Sequence, residues 1–128
     1  MNLFDSSALL AFLQGEPGSD LVEHAMIEGG SCGGANWSEV AQKVLQRGGD
    51  WGLARGLLLD FGLQVEPVGM ADAERAAEMW AGRTQLSLGD RLCLALGERV
   101  GATVWTADAA WGTSEPIRQI RSPGPAAG

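Results

Sequence analysis

Asn2-Leu3-Phe4-Asp5, followed at once by Ser6-Ser7-Ala8-Leu9-Leu10-Ala11-Phe12-Leu13-Gln14, is the stretch that decides the fold. Its first four residues read as a short strand and the next nine as a helix stopped by Gly15 and Pro17. An acid therefore stands where a strand hands over to a helix. Outward from it, the same alternation recurs. Ser19–Glu28 reads as a helix closed by Gly29-Gly30, and a weak strand follows near Ser31–Ala35. Its Gly33-Gly34 pair offers no side chain to pack, which suits a backbone pressed close to a neighbour. Ser38–Arg47 and Trp51–Phe61 read as helices ended by Gly48-Gly49 and Gly62. Leu63–Val68 reads as a third strand and Ala71–Gln85 as an Ala-rich helix. Leu88–Val100 reads as a core helix, because its Leu92–Leu96 run is apolar nearly all round. Ala102–Thr106 is a fourth strand, Ala109–Gly112 a helical turn and Ile117–Arg121 a fifth strand.

Strands separated by helices demand crossover connections, so the expected fold is α/β: three α/β/α layers around a parallel sheet of four to five strands. No repeat and no long linker divides the chain, and residues 1–121 are expected to form one domain. The Pro/Gly/Ala stub Ser122–Gly128 reads as a frayed tail.

At 128 residues and 45% hydrophobic composition the chain can bury one core. Sixteen acids against nine Lys plus Arg give a formal charge of −7, which argues against a basic nucleic-acid coat or an anionic-membrane binder. The early apolar run Ala8–Leu13 is too short to span a bilayer, and no Lys or Arg precedes it as in a signal peptide. A soluble, cytoplasmic protein without membrane contact is the expectation. Cys32 and Cys93 lack CxxC spacing and His24 is the only histidine, so buried free thiols are expected rather than a disulfide framework or a zinc site. His24 itself reads as a helix-surface residue.

Four carboxylates hold comparable places. Asp5 and Asp108 end the first and fourth strands, while Glu39 and Asp90 sit in the first turns of helices. In doubly wound sheets that rim binds ligands, and Asp5 and Asp108 become neighbours if their strands flank the point where strand order reverses. Each has an ordinary role too: the three Asp are good helix N-caps, and Glu39 can pair with Lys43 at i,i+4. Together they fit that reading poorly. Like charges near 4 Å repel by about 1 kcal/mol per pair in water and about 4 kcal/mol at an effective dielectric of 20. Such a cluster needs protons or a cation, and carboxylates without His or Cys suit Mg2+ or Mn2+. A dehalogenase-type phosphatase would want Asp-x-Asp where Asp5-Ser6-Ser7 stands, and the Gly29–Gly34 cluster does not match a dinucleotide-binding GxGxxG.

Four blocks carry a family likeness: Leu3-Phe4-Asp5-Ser6-Ser7-Ala8-Leu9, Asn36-Trp37-Ser38-Glu39-Val40, Leu86-Ser87-Leu88-Gly89-Asp90-Arg91-Leu92-Cys93-Leu94-Ala95-Leu96 and Val104-Trp105-Thr106-Ala107-Asp108-Ala109-Ala110-Trp111. In order and spacing, from Met1 to about Arg121, the chain resembles PIN-domain ribonucleases, nearest to VapC-like toxins of bacterial toxin–antitoxin pairs. The resemblance implies that Asp5, Glu39, Asp90 and Asp108 form a catalytic, metal-binding acidic quartet, with Ser7, Asn36 and Thr106 supporting it. It implies Mg2+- or Mn2+-dependent endoribonuclease activity in which water attacks phosphorus, leaving a 5′-phosphate and a 3′-hydroxyl. An RNA substrate, a cognate antitoxin and a homodimer are the implied partners. Arg47, Arg83 and Arg91, in or near the acidic blocks, are candidate grips for flanking phosphates, and Arg91 could instead orient Asp90. Trp51, Trp80 and Leu57-Leu58-Leu59 could line an antitoxin groove, with burial in the core the competing place for the leucines. The chain departs from the family's pattern in its Gly-rich second strand, in Ala109 where many relatives carry a basic residue, and in Trp37 where Leu or Tyr is commoner. A catalytically degenerate PIN-like RNA-binding or scaffold protein is the alternative, and the intact quartet speaks against it.

Overall fold

The computed structural model describes residues 1–82 and 85–121. The chain runs β1 (Asn2–Phe4), α1 (Ser6–Gln14), α2 (Ser19–Glu28), β2 (Gly30–Gly33), α3 (Gly34–Gln46), α4 (Trp51–Asp60) and β3 (Gln64–Glu66). It continues through α5 (Met70–Met79), a 3-10 turn (Trp80–Gly82), α6 (Leu88–Val100), β4 (Thr103–Thr106), a second 3-10 turn (Ala109–Trp111) and β5 (Ile117–Gln119).

The five strands pair in parallel in the order β3-β2-β1-β4-β5. Successive strands step outward from β1 to β3, and the chain then crosses back to lay β4 on the other side of β1. Strand order therefore reverses between β1 and β4, with Asn2 opposite Thr103 and Phe4 opposite Trp105. Side-chain alternation along β1 divides the interior. Leu3 joins Ala76, Met79, Leu94, Leu96 and Val104 under α5 and α6, whereas Phe4 joins Leu9, Val22, Met26, Val40 and Leu58 under α1 to α4. These two apolar clusters, one on each sheet face, make the three-layer α/β/α fold. Leu3 and Phe4 are both fully buried, each contributing roughly 1.5–3 kcal/mol.

The glycine-rich β2 has a steric reason. A Cβ on Gly30 would overlap the Phe4 ring, so this glycine lets the aromatic side chain of the central strand lie across its neighbour. Cys32 and Cys93 are buried free thiols, as expected.

Several boundaries move. α3 begins at Gly34 rather than Ser38, because its low-propensity first turn is carried by packing that buries Asn36. Glu39 thereby lies in the second turn, not the first. α5 ends at Met79 and tightens into the 3-10 turn, short of Gln85, while β3 and β5 are shorter than Leu63–Val68 and Ile117–Arg121. Leu58 is buried, but Leu57 and Leu59 are exposed, so only one of the three reaches the core. The tail at 122–128 and Arg83 lie outside the described residues.

Candidate active site

Asp5 follows directly on β1, where extended backbone (φ −78°, ψ 175°) makes it the N-cap of α1, its Oδ1 accepting from the Ala8 amide at 2.8 Å. Two hydroxyls complete its shell. Ser7 Oγ lies 2.8 Å from both carboxylate oxygens, and Thr106 Oγ1, from the end of β4, donates to Oδ2 at 2.5 Å. Each hydroxyl accepts in turn from the turn that follows β4: the Ala107 amide donates to Ser7 Oγ at 2.9 Å and the Asp108 amide to Thr106 Oγ1 at 3.0 Å. Both hydroxyl protons are thus directed onto Asp5.

Asp5 is 2% exposed, and burial pushes its pKa up from 3.8 to about 6. The bonds from Thr106, Ala8 and Ser7 oppose that rise, and the charge of Asp90 adds to it. Asp90 sits in the first turn of α6, half-buried, within a capping box: the Ser87 amide donates to its Oδ2 at 3.0 Å, and its own amide donates to Ser87 Oγ at 3.1 Å. Glu39 reaches the same turn from α3. Asn36 Nδ2 donates to Glu39 Oε1 at 2.9 Å and approaches the Gly89 carbonyl at 3.4 Å, tying α3 to α6 beside Asp90. The buried thiol of Cys93, one turn further along α6, is held well above its ordinary pKa by burial, then by the charges of Asp5, Cys32, Asp90 and Glu39. Three of the expected acids thus act on one point.

Asp108 stands apart. Its backbone is tied to Asp5 through Thr106, but its carboxylate is exposed and caps the 3-10 turn, accepting from the Ala110 amide at 2.9 Å. Among the described residues no three His, Cys, Asp or Glu side chains converge closely enough to hold a metal ion as they stand. The donor set still fits a hard divalent cation in kind and charge: it is all carboxylate oxygen, and no ion pair among the described residues involves Asp5, Glu39, Asp90 or Asp108.

Glu39 lines a cleft of about 290 Å³ together with Ser6, Ser7, Leu10, Gln42 and Lys43. Lys43, the one cation on its wall, is exposed and makes no ion pair with Glu39 among the described residues. In the sequence Lys43 reads only as Glu39's partner, yet the i,i+4 spacing that suggests pairing also puts both on one helix face. The arginines go elsewhere. Arg91 donates to the Ala76 carbonyl of α5 at 2.7 Å, and Arg47, at the far end of α3, borders an apolar groove with Leu13, Val44, Leu53 and Leu57. Trp51 packs edge-on against Trp37 with ring centroids 5.0 Å apart, and Trp80 is exposed. His24, exposed on α2, faces Glu28 at 3.4 Å.

Comparison with known proteins agrees with this fold. A family model described as the PIN domain matches residues 3–112. No curated protein matches the sequence. Among solved structures, a toxin–antitoxin complex from Klebsiella pneumoniae superposes with a TM-score of 0.77 at 15% identity, covering 96% of this chain and 100% of that one. VapC20 of Mycobacterium tuberculosis, described as a sarcin–ricin-loop-cleaving toxin, gives 0.70 at 17% identity, covering 90% and 98%. VapBC2 from Rickettsia felis, bound to a DNA fragment from its promoter, gives 0.68 at 10% identity, covering 92% and 97%. At these identities the likeness is one of fold.

Proposed function

The chain belongs to the PIN-domain family, and from that premise we propose that it is a metal-dependent endoribonuclease, the toxin of a toxin–antitoxin pair. The observation that carries this reading is the state of Asp5: a carboxylate buried at the reversal point of the sheet, supplied with hydroxyl protons by Ser7 and Thr106, facing the charge of Asp90, and paired with no cation of the described chain. A stability-driven design would replace or neutralise it. Mg2+ or Mn2+, held by Asp5 and Asp90 with Glu39 and Asp108, would supply a Lewis acid that makes water a nucleophile at neutral pH and offsets charge on the phosphoryl oxygens.

The protein's own groups do the positioning. Ser7 and Thr106 fix the Asp5 carboxylate, so that it presents charge without rotating. Asn36 holds Glu39 against α6, and Lys43 offers the cleft a cation for a flanking phosphate. With no histidine pair in the chain, cleavage by water is the expected route, leaving 5′-phosphate and 3′-hydroxyl ends. An antitoxin partner and a homodimer belong to the same proposal, which the fold shared with toxin–antitoxin proteins supports. No described helix is long and apolar enough to cross a membrane, and a cytoplasmic site of action is part of the reading.

Total cellular RNA incubated with the protein and Mg2+ or Mn2+, with 5′ ends then sequenced, tests it. Discrete cuts bearing 5′-phosphate, absent with EDTA and in Asp5→Ala, are expected. A folded protein that neither binds Mn2+ nor cuts RNA would instead be a PIN-like scaffold.

A further inference from the structure

Glu39 lies so close to the first turn of α6 that only a glycine fits beneath it. A Cβ built on Gly89 would stand 2.6 Å from Glu39 Oε2 and 2.8 Å from both Oε1 and Cδ, well inside van der Waals contact. Gly89 has no need of a glycine for its backbone, which is ordinary helix without a positive φ. Helix propensity would favour alanine there. What the missing side chain provides is room for one carboxylate. In that room Glu39 meets the amino-terminal end of a helix, where backbone dipoles favour negative charge, one residue before Asp90. Asn36 spans the junction, donating to Glu39 Oε1 and approaching the Gly89 carbonyl.

We propose that Gly89 is a positioning residue: its bare Cα seats the Glu39 carboxylate beside Asp90, and a side chain at 89 unseats it while leaving the fold intact. The obstructed atoms are the tip of a flexible side chain rather than backbone, so an added methyl displaces Glu39 instead of the helix. The functional weight of the proposal rests on the ribonuclease reading; its geometry does not.

Gly89→Ala is the test, read first without metal. The Asn36 side-chain amide resonances, followed by 15N–1H NMR, should shift as the bond to Glu39 is lost, while Tm holds or rises. Unchanged Asn36 resonances in a folded Gly89→Ala protein would overturn the proposal. If Gly89→Ala does not fold, Gly89→Ala/Glu39→Ala decides: folding of the double variant puts the conflict on Glu39 and supports the proposal, and failure of both overturns it. The second readout is Mn2+ affinity by calorimetry, expected to weaken about tenfold or more in Gly89→Ala. In the Glu39→Ala background the same change should have no further effect, and an equal loss there would show that Gly89 does not act through Glu39. Wild-type protein that binds no Mn2+ would sink the ribonuclease reading, leaving Asn36 to judge the seating of Glu39.

Discussion

Thr106 Oγ1 donates to Asp5 Oδ2 at 2.5 Å across 101 residues of sequence, joining the two central strands at the point where the sheet reverses. Thr106 is fully buried, and its hydroxyl also accepts from the Asp108 amide. One side chain therefore orients an acid, satisfies a turn and fastens β4 to α1.

Removing that hydroxyl leaves a buried carboxylate short of a donor. Thr106→Val should cost about 1–3 kcal/mol in urea denaturation at pH 7, and Thr106→Ser should restore most of it. Equal stabilities of Thr106→Val and wild type would show that the bond does not contribute.

The raised pKa of Asp5 has a definite sign. Between its ordinary value of 3.8 and about 6 the folded protein holds a proton that the unfolded chain has released, so this carboxyl makes stability fall as pH rises through that window and leaves it flat above. Asp5→Asn should remove that fall, stabilising the metal-free protein at pH 8 by on the order of 2–3 kcal/mol. Thermal denaturation across pH 4–8 without divalent ions checks it; a parallel pH profile for wild type and variant would refute it.

Asp90 and Asp108 should differ in their influence on Asp5. Asp90→Asn removes a charge that raises the Asp5 pKa and should lower it, whereas Asp108→Asn, whose carboxylate is turned to the Ala110 amide, should leave it in place. Carboxyl-detected NMR titration of Asp5 in each variant distinguishes the two.

Asp72 responds in the opposite sense to Asp5. The Arg99 guanidinium, bonded at 2.8 and 3.1 Å, holds the Asp72 carboxyl below its ordinary value, so the pair stabilises the fold above that range and the contribution is lost as pH falls through the lowered value. Arg99→Met should destabilise the fold at pH 7, with a smaller difference near pH 2, because it leaves the buried Asp72 carboxylate without its guanidinium. RNA cleavage by Arg99→Met should match wild type, since the pair lies between α5 and α6, away from the acids.

Lys43→Gln should weaken RNA binding without touching the acids. The expected signature is a higher KM at unchanged kcat, with the slope of log affinity against log salt reduced by about 1. A kcat effect alone would place Lys43 elsewhere in the cycle.

The elements bounded by local signals are the most legible in the sequence. α1, α2 and α6 begin and end where caps and glycines put them, because Asp5, Gly15, Ser87 and Gly101 act locally. That β1 and β4 are neighbours follows from the sequence only conditionally, since strand order depends on contacts a hundred residues apart. α3 starts four residues before Ser38 because Gly34 carries no helical signal of its own, and this puts Glu39 one turn further into the helix. The support given by Ser7 and Thr106 was visible as a pattern but not as a relay, which depends on the amides of Ala107 and Asp108. The seating of Glu39 on Gly89 could not be read at all. It arises where two helices from different halves of the chain meet.

The place of β4 sets an order of events during synthesis. The strand enters the middle of the sheet although three strands and six helices precede it in the chain, and it brings Thr106 with it. A nascent chain ending before residue 103 already contains Asp5, Glu39 and Asp90, yet lacks the partner strand of β1 and the hydroxyl that directs the buried acid. The arrangement around Asp5 is therefore completed only once residues 103–106 have been made, and a chain cut short before them carries its acids without the frame that aligns them.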